Sequence, residues 1–149
     1  MNYRPAKPSD IAAIVEIAVT SVSNNPLPVT IDRKAMADMA RECLGPAHFM
    51  WVSEDDSGNV VACVAAHASP GFWFRRMQAS VLLYYTLVPG AGIRLLREFA
   101  KWVHSRPVIK LAVMELEPDA DPRLVEFMKR QGFSRESLNL TYVRGVENG

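Results

Sequence analysis

Ile11, Ile14, Val15, Ala18 and Val22 recur at the three-and-four spacing that lines up apolar side chains on one helical face. Pro8 suits the first helical position, and Asp10 sits in the first turn near the positive end of the helix. A short extended stretch, residues 3–6, precedes this helix, and Ser23-Asn24-Asn25-Pro26 is its stop. Met36, Met39, Ala40, Cys43 and Leu44 form a second helical stripe, with Thr30 as the expected cap and Gly45-Pro46 as the end. From His48 the period changes. Phe49-Met50-Trp51-Val52 is short and rich in β-forming side chains, Asp55-Asp56-Ser57-Gly58-Asn59 is a hairpin signal, and residues 60–68 return antiparallel until Pro70-Gly71.

After the loop Phe72-Trp73-Phe74-Arg75-Arg76, residues 79–88 run apolar without alternation, the pattern of a strand covered on both faces and here expected to be the central one. Gly90-Ala91-Gly92 interrupts the run. The helix from Ile93 directs Leu96, Phe99, Ala100 and Val103 inward and Arg94, Arg97, Lys101 and His104 outward, ending before Pro107. Residues 108–116 read as another apolar strand. Asp121-Pro122 opens a helix carrying Leu124, Val125 and Met128 and ending at Gly132, and residues 133–144 are expected to add one or two strands. Trp51 and Trp102 read as core. The order predicts a mixed α/β layered fold without internal repeats, and 149 residues suit one domain over 1–149.

Charge and cysteine usage narrow the function classes. Lys and Arg number 17 and Asp and Glu 16, so at a net charge of +1 no global field recruits nucleic acid or an anionic membrane, and any polyanion site must be local. Cys43 and Cys63 fit neither a disulfide framework nor a zinc spacing, so buried, reduced thiols and no metal centre are expected. Residues 1–10 lack the apolar stretch of a leader, and no apolar run reaches the roughly 18 residues of a membrane span, so a cytoplasmic location is expected.

The chemistry concentrates in Leu87-Val88-Pro89-Gly90-Ala91-Gly92-Ile93-Arg94-Leu95-Leu96, an apolar strand running through a glycine turn into a helix. Glycines let successive N–H groups curl into one cup, and the helix N-terminus adds unpaired donors, which suits a pyrophosphate. An ordinary strand-to-helix turn uses the same glycines for tightness. No Lys-Ser/Thr follows, and no third glycine or acidic residue stands at dinucleotide spacing, so neither nucleotide motif applies.

This segment resembles the acyl-CoA loop of the GCN5-related N-acetyltransferase (GNAT) family, Gln/Arg-x-x-Gly-x-Gly/Ala, with Gly90 and Gly92 as its glycines and Leu95-Leu96 as the aliphatic pair behind them. Arg4-Pro5-Ala6 with Asp10 and Ile14 is similar to the family's opening. Phe127-Met128-Lys129-Arg130-Gln131-Gly132-Phe133 is similar to its Phe-Tyr-x-x-x-Gly-Phe helix end, so the resemblance covers nearly the whole chain. The loop through Phe74 and the stretch Phe99-Ala100-Lys101-Trp102 resemble short, phage-type members.

The resemblance implies a mostly antiparallel central sheet of six to seven strands flanked by about four helices. It also implies transfer of an acetyl group from acetyl-CoA, as co-substrate, to a small-molecule or peptide amine. Leu87, Val88, Gly90, Ala91, Gly92, Ile93 and Arg94 are the implied cofactor-binding residues, with Leu87 and Val88 facing the pantetheine arm and thioester. Two positions depart from the family pattern. Leu87 stands where the family has Gln or Arg, which makes Arg94, Arg75 and Arg76 candidates for the missing donor and, with Arg97, for the 3′-phosphate of coenzyme A. Met128 stands where many members carry the tyrosine that protonates the leaving thiolate. A thioether cannot donate a proton, so Tyr85 and Tyr142, with Tyr84, are the candidate acids.

An acceptor amine needs a base, and Glu115, with Glu117 beside it, lies at the end of the facing strand, where a solvated strand end is the plainer reading. His67 is a second candidate base, against the plainer reading of a half-buried, hydrogen-bonded histidine. Phe72, Trp73 and Phe74 suit either an acceptor pocket or packing onto the core. The competing functions are a non-catalytic GNAT-fold protein that binds coenzyme A and one that binds a protein partner. Neither nucleic acid nor membrane is an expected partner, and a homodimer is compatible with the fold.

Overall fold

The computed structural model describes residues 1–24, 27–28 and 30–145. Strand β1 covers Asn2–Pro5, and a single 3-10 turn, Pro8–Asp10, leads into α1, Ile11–Asn24. Of the expected stop to that helix, Asn25 and Pro26 lie outside the described residues. Helix α2 is Arg33–Cys43, capped by Asp32 rather than Thr30, because the Asp32 carboxylate accepts the Ala35 amide at 2.9 Å. Then come β2 (Phe49–Glu54), β3 (Val60–Pro70), β4 (Met77–Thr86), α3 (Ile93–His104), β5 (Ile109–Val113) and α4 (Pro122–Arg130). The β2–β3 hairpin turns where Asp55 accepts the amides of Ser57 and Asn59 and Gly58 takes a φ of +83°. Asp121 caps α4 through the Arg123 amide, and Gly132, at φ +103°, ends it.

The sheet order is β1-β2-β3-β4-β5, antiparallel throughout except for the parallel β4–β5 pair. Two expectations are corrected. The central strand is β3, buried along most of its length, whereas β4 has strands on both sides over only four residues. The sheet has five strands among the described residues, not six to seven. Residues 133–145 carry the alternation of a strand, but alternation needs a partner edge, and Leu138, Leu140 and Tyr142 stand in solvent instead. The Asn139 side-chain amide does reach Glu115 Oε2, at 3.3 Å.

Helices α1 and α2 cover one face of the sheet over Met50, Val52, Cys63, Ala65 and Leu83, while α3 and α4 bring Phe99, Phe127 and Met128 onto Phe49, Val64 and Ala66 of the other. Both cysteines are free and buried, as expected. Burial pushes the Cys43 thiol up to about 11 and the Cys63 thiol higher still. Arg4 ties β1 to the 3-10 turn before α1 and to the end of β2. Its guanidinium donates to Asp10 at 2.7 and 3.0 Å and to Glu54 at 2.6 and 2.9 Å, which holds the buried Asp10 carboxyl below its ordinary range. No helix among the described residues is long and apolar enough to cross a membrane.

Candidate active site

Strand β4 pairs with β5 only from Met77 to Ser80, matched to Ile109 through Val113. Beyond Ser80 it stays hydrogen-bonded to β3, and the β5 side has no strand partner among the described residues, so the sheet opens into a fork whose apex is the Ser80–Val113 pair. The register slips immediately past the apex. Val81 faces Ala66 and Leu83 faces Ala65, which leaves Leu82 as an extra, half-exposed bulge residue in the fork wall. Farther along, the Leu87 amide donates to the Val61 carbonyl at 2.8 Å, so that amide is already committed to the sheet. Alternation along an antiparallel strand then turns the main-chain groups of Tyr84 and Thr86 toward the open side.

The fork leads into the glycine turn. Gly90 has a φ of +79°, with nothing within 4 Å of where a Cβ would stand, so its requirement is purely conformational. Gly92 is required for a different reason. A Cβ there would lie 2.5 Å from the Tyr84 hydroxyl and 2.8 Å from its ring, and would also run into the Thr86 methyl. Ala91 is fully buried, and its carbonyl accepts from the buried hydroxyl of Ser53 on β2, a polar contact that fastens the turn to the sheet. Gly92 is the N-cap of α3 and no side chain caps that helix, so the first-turn amides around Ile93 and Arg94 have no side-chain acceptor. The turn therefore offers an uncapped helix end, a positive dipole and two glycines, one required by its backbone conformation and the other by the sheet beneath it.

The remaining candidates are spread over the fold. Arg94 stacks over the Tyr3 ring at 4.9 Å and Arg97 over Phe127 at 5.7 Å, both beside the turn. Arg75 and Arg76 precede β4, whose ten residues extend about 30 Å, so they stand at the opposite end of the strand from the glycines and cannot share a phosphate with Arg94. Tyr84 and Tyr85 point to opposite faces. Tyr84 packs toward α3, where burial raises its phenol, and Tyr85 lies on the α1 side, where its hydroxyl receives the Asn24 amide. Glu115 and Glu117 follow β5 and are exposed, as Leu111 and Val113 at its end are. Tyr142 is exposed in the irregular segment, with Arg144 over its ring at 5.5 Å. Met128 is buried in the α3–α4 core.

A histidine cluster flanks the apex. His67 pairs across β3–β4 with Ser80, stacks on His48 at 4.3 Å, and bonds through Nε2 to Glu42 Oε1 at 2.8 Å. This hydrogen bond lowers the Glu42 carboxyl, and desolvation followed by the neighbouring His67 lowers the His48 imidazole. Glu42, His48 and His67 each bring a ligand atom within 4.8 Å of the others. His48 Nδ1, however, accepts the Ala68 amide at 2.9 Å, which fixes the proton on Nε2 and leaves no lone pair there for a metal.

Several of these residues escaped the sequence pattern. Ser53 carried one weak signal, a lone serine among apolar strand positions. The Leu82 bulge and the roles of Tyr84 and Thr86 depend on register, for which an apolar run gives no signal.

No family model and no curated protein match this chain. Solved structures do. A predicted acetyltransferase of Clostridium acetobutylicum, solved with acetyl-CoA, superposes with a TM-score of 0.70 at 21% identity over 94% of this chain and 95% of that one. Glucosamine-6-phosphate N-acetyltransferase of Arabidopsis thaliana matches with a TM-score of 0.68 at 13% identity over 96% and 97%. An aminoglycoside acetyltransferase from an uncultured soil sample, in complex with sisomicin, matches with 0.66 at 8% identity over 98% and 96%. The chain has the GNAT fold.

Proposed function

We propose that this protein is an N-acyltransferase that moves an acetyl group from acetyl-CoA to an amine. The observation that carries this reading is the fork opening at Ser80 and running directly into an uncapped helix behind two glycines. A pyrophosphate fits the first-turn amides of α3, which no side chain satisfies, and a pantetheine arm fits along the free main chain of Tyr84 and Thr86. The thioester then lies near the Leu82 bulge, where a main-chain N–H can polarise its carbonyl.

Attack by the neutral amine forms a tetrahedral intermediate, whose collapse breaks the C–S bond and releases coenzyme A as thiolate. Glu115 is the proposed acceptor of the amine proton, directly or through one water, because it is exposed two residues beyond the end of β5, the strand that forms the other side of the fork. Tyr85 is the better placed of the two proposed acids, since it belongs to β4 itself, whereas Tyr142 needs residues 137–143 to move onto the fork. The acetyl-CoA-bound neighbour supports the donor, and the sugar-phosphate and aminoglycoside enzymes support a small-molecule amine as acceptor.

A second reading, coenzyme A binding without turnover, is favoured by one observation: Met128, at the position of the family's tyrosine acid, is buried in core. Thiol release from acetyl-CoA decides between them, measured with glucosamine 6-phosphate, an aminoglycoside and a lysine-containing peptide. Release above the acceptor-free rate supports transfer. Tight acetyl-CoA binding without release for any acceptor supports the second reading.

A further inference from the structure

The net charge of +1 is unevenly distributed. The tip where β3 turns into β4, residues 69–78, and the α3–β5 turn beside it, residues 105–110, carry Arg75, Arg76, Arg106 and Lys110 and no aspartate or glutamate. The Gly71 amide donates to the Arg76 carbonyl at 3.0 Å and closes the hairpin tip, while the Met77 amide donates to the Val108 carbonyl at 3.2 Å and sets the α3–β5 turn beside it. Phe74 folds back so closely that a Cβ on Gly71 would meet its ring at 2.5 Å. Phe72 and Trp73 are consequently turned outward, 100% and 94% exposed, and neither lines a pocket nor packs on the core. Arg75 and Arg76 follow them directly in the chain, Arg106 and Lys110 belong to the α3–β5 turn beside the tip, and none of the four forms an ion pair among the described residues.

Two adjacent aromatic rings held fully in water thus stand at a tip that carries cations and no carboxylate. Such rings settle at the headgroup level of a bilayer, and the cations meet lipid phosphates. We propose that this pole docks the protein reversibly on an anionic phospholipid surface, with Phe72 and Trp73 inserted and the four cations at the phosphate plane. The expectation of no membrane partner rested on the summed charge, which conceals this segregation. The tip lies about 30 Å along β4 from the glycine turn, so acetyl-CoA binding and lipid docking are separable.

Flotation with vesicles of phosphatidylcholine containing 30% phosphatidylglycerol, against pure phosphatidylcholine, tests the proposal on the full chain. Each cation near an anionic surface contributes about fivefold in partitioning, so the Arg75→Ser, Arg76→Ser double variant is expected to bind about 25-fold less at low salt and to lose much of the salt dependence. Phe72→Ser with Trp73→Ser should lower binding at least tenfold with an unchanged circular dichroism spectrum, since both side chains contact little else. Failure of the wild type to float with anionic vesicles overturns the proposal. So does undiminished binding by the aromatic double variant, or capture by single-stranded DNA in place of vesicles.

Discussion

Gly92→Ala tests whether the glycine turn is shaped by the sheet beneath it. The new methyl group would stand 2.5 Å from the Tyr84 hydroxyl and 2.8 Å from its ring carbon, and against the Thr86 methyl, in a part of the molecule where Ala91 and Leu95 are fully buried. Overpacking of this kind costs about 1–3 kcal/mol, and each 1 kcal/mol corresponds to about 2–4 °C in Tm at this chain length. Gly90→Ala adds no clash and carries only the left-handed penalty of its φ of +79°, about 1–2 kcal/mol. The single costs overlap, but their couplings do not. In a Tyr84→Phe, Thr86→Ser background, which removes two of the three closest contacts, the cost of Gly92→Ala should fall by at least half, while that of Gly90→Ala should change by no more than about 0.5 kcal/mol. Urea unfolding of the two cycles reads both quantities. A Gly92→Ala variant as stable as wild type, or a cost indifferent to the Tyr84 and Thr86 background, would refute the packing argument.

Other parts of the molecule yield further tests. Arg4→Ala leaves the Asp10 carboxylate buried without its partner and should cost about 3 kcal/mol or more in urea unfolding, well above the effect of an exposed Arg33→Ala. The His48 imidazole must stay neutral to accept the Ala68 amide, and its pKa is lowered in the folded state. Its contribution is therefore complete above about pH 6.5 and is lost as pH falls below that value, so His48→Gln should flatten the decline in Tm between about pH 6.5 and 5. An unaltered pH profile would exclude His48 as its source. Cys43 and Cys63 are buried with raised thiol pKa values, so an aromatic disulfide reagent should find no reactive thiol in the native protein and two after denaturation.

Most of the element order was legible because each helix announces itself by an apolar stripe, and α4 by its cap as well. Asp121-Pro122 and Gly132 bracket α4 as the sequence suggests, and the exposed face of α3 carries Arg94, Arg97, Lys101 and His104 as expected. The sheet was harder. An apolar run fixes neither register nor neighbours, so β4 read as the central strand, and the bulge at Leu82 and the fork at Ser80 had no local signature. The alternation of Leu138, Leu140 and Tyr142 is sound β patterning, but pairing is a tertiary property and these residues lack a partner edge. In the candidate site, the glycines were visible as a motif, but their separate reasons were not. Gly90 is required by φ and Gly92 by Tyr84 and Thr86, and the second reason exists only once β4 lies beneath the turn. Arg75 and Arg76 are near the glycines in sequence but a full strand length away in space.

Calorimetric titration of the folded protein with acetyl-CoA and with coenzyme A tests the central claim, that the fork and glycine turn are an acyl-CoA site, before any acceptor is chosen. Micromolar binding of both is expected, about −8 kcal/mol, weakened in Gly90→Val while the protein stays folded. No binding heat at millimolar ligand, with the fold intact by circular dichroism, would contradict it.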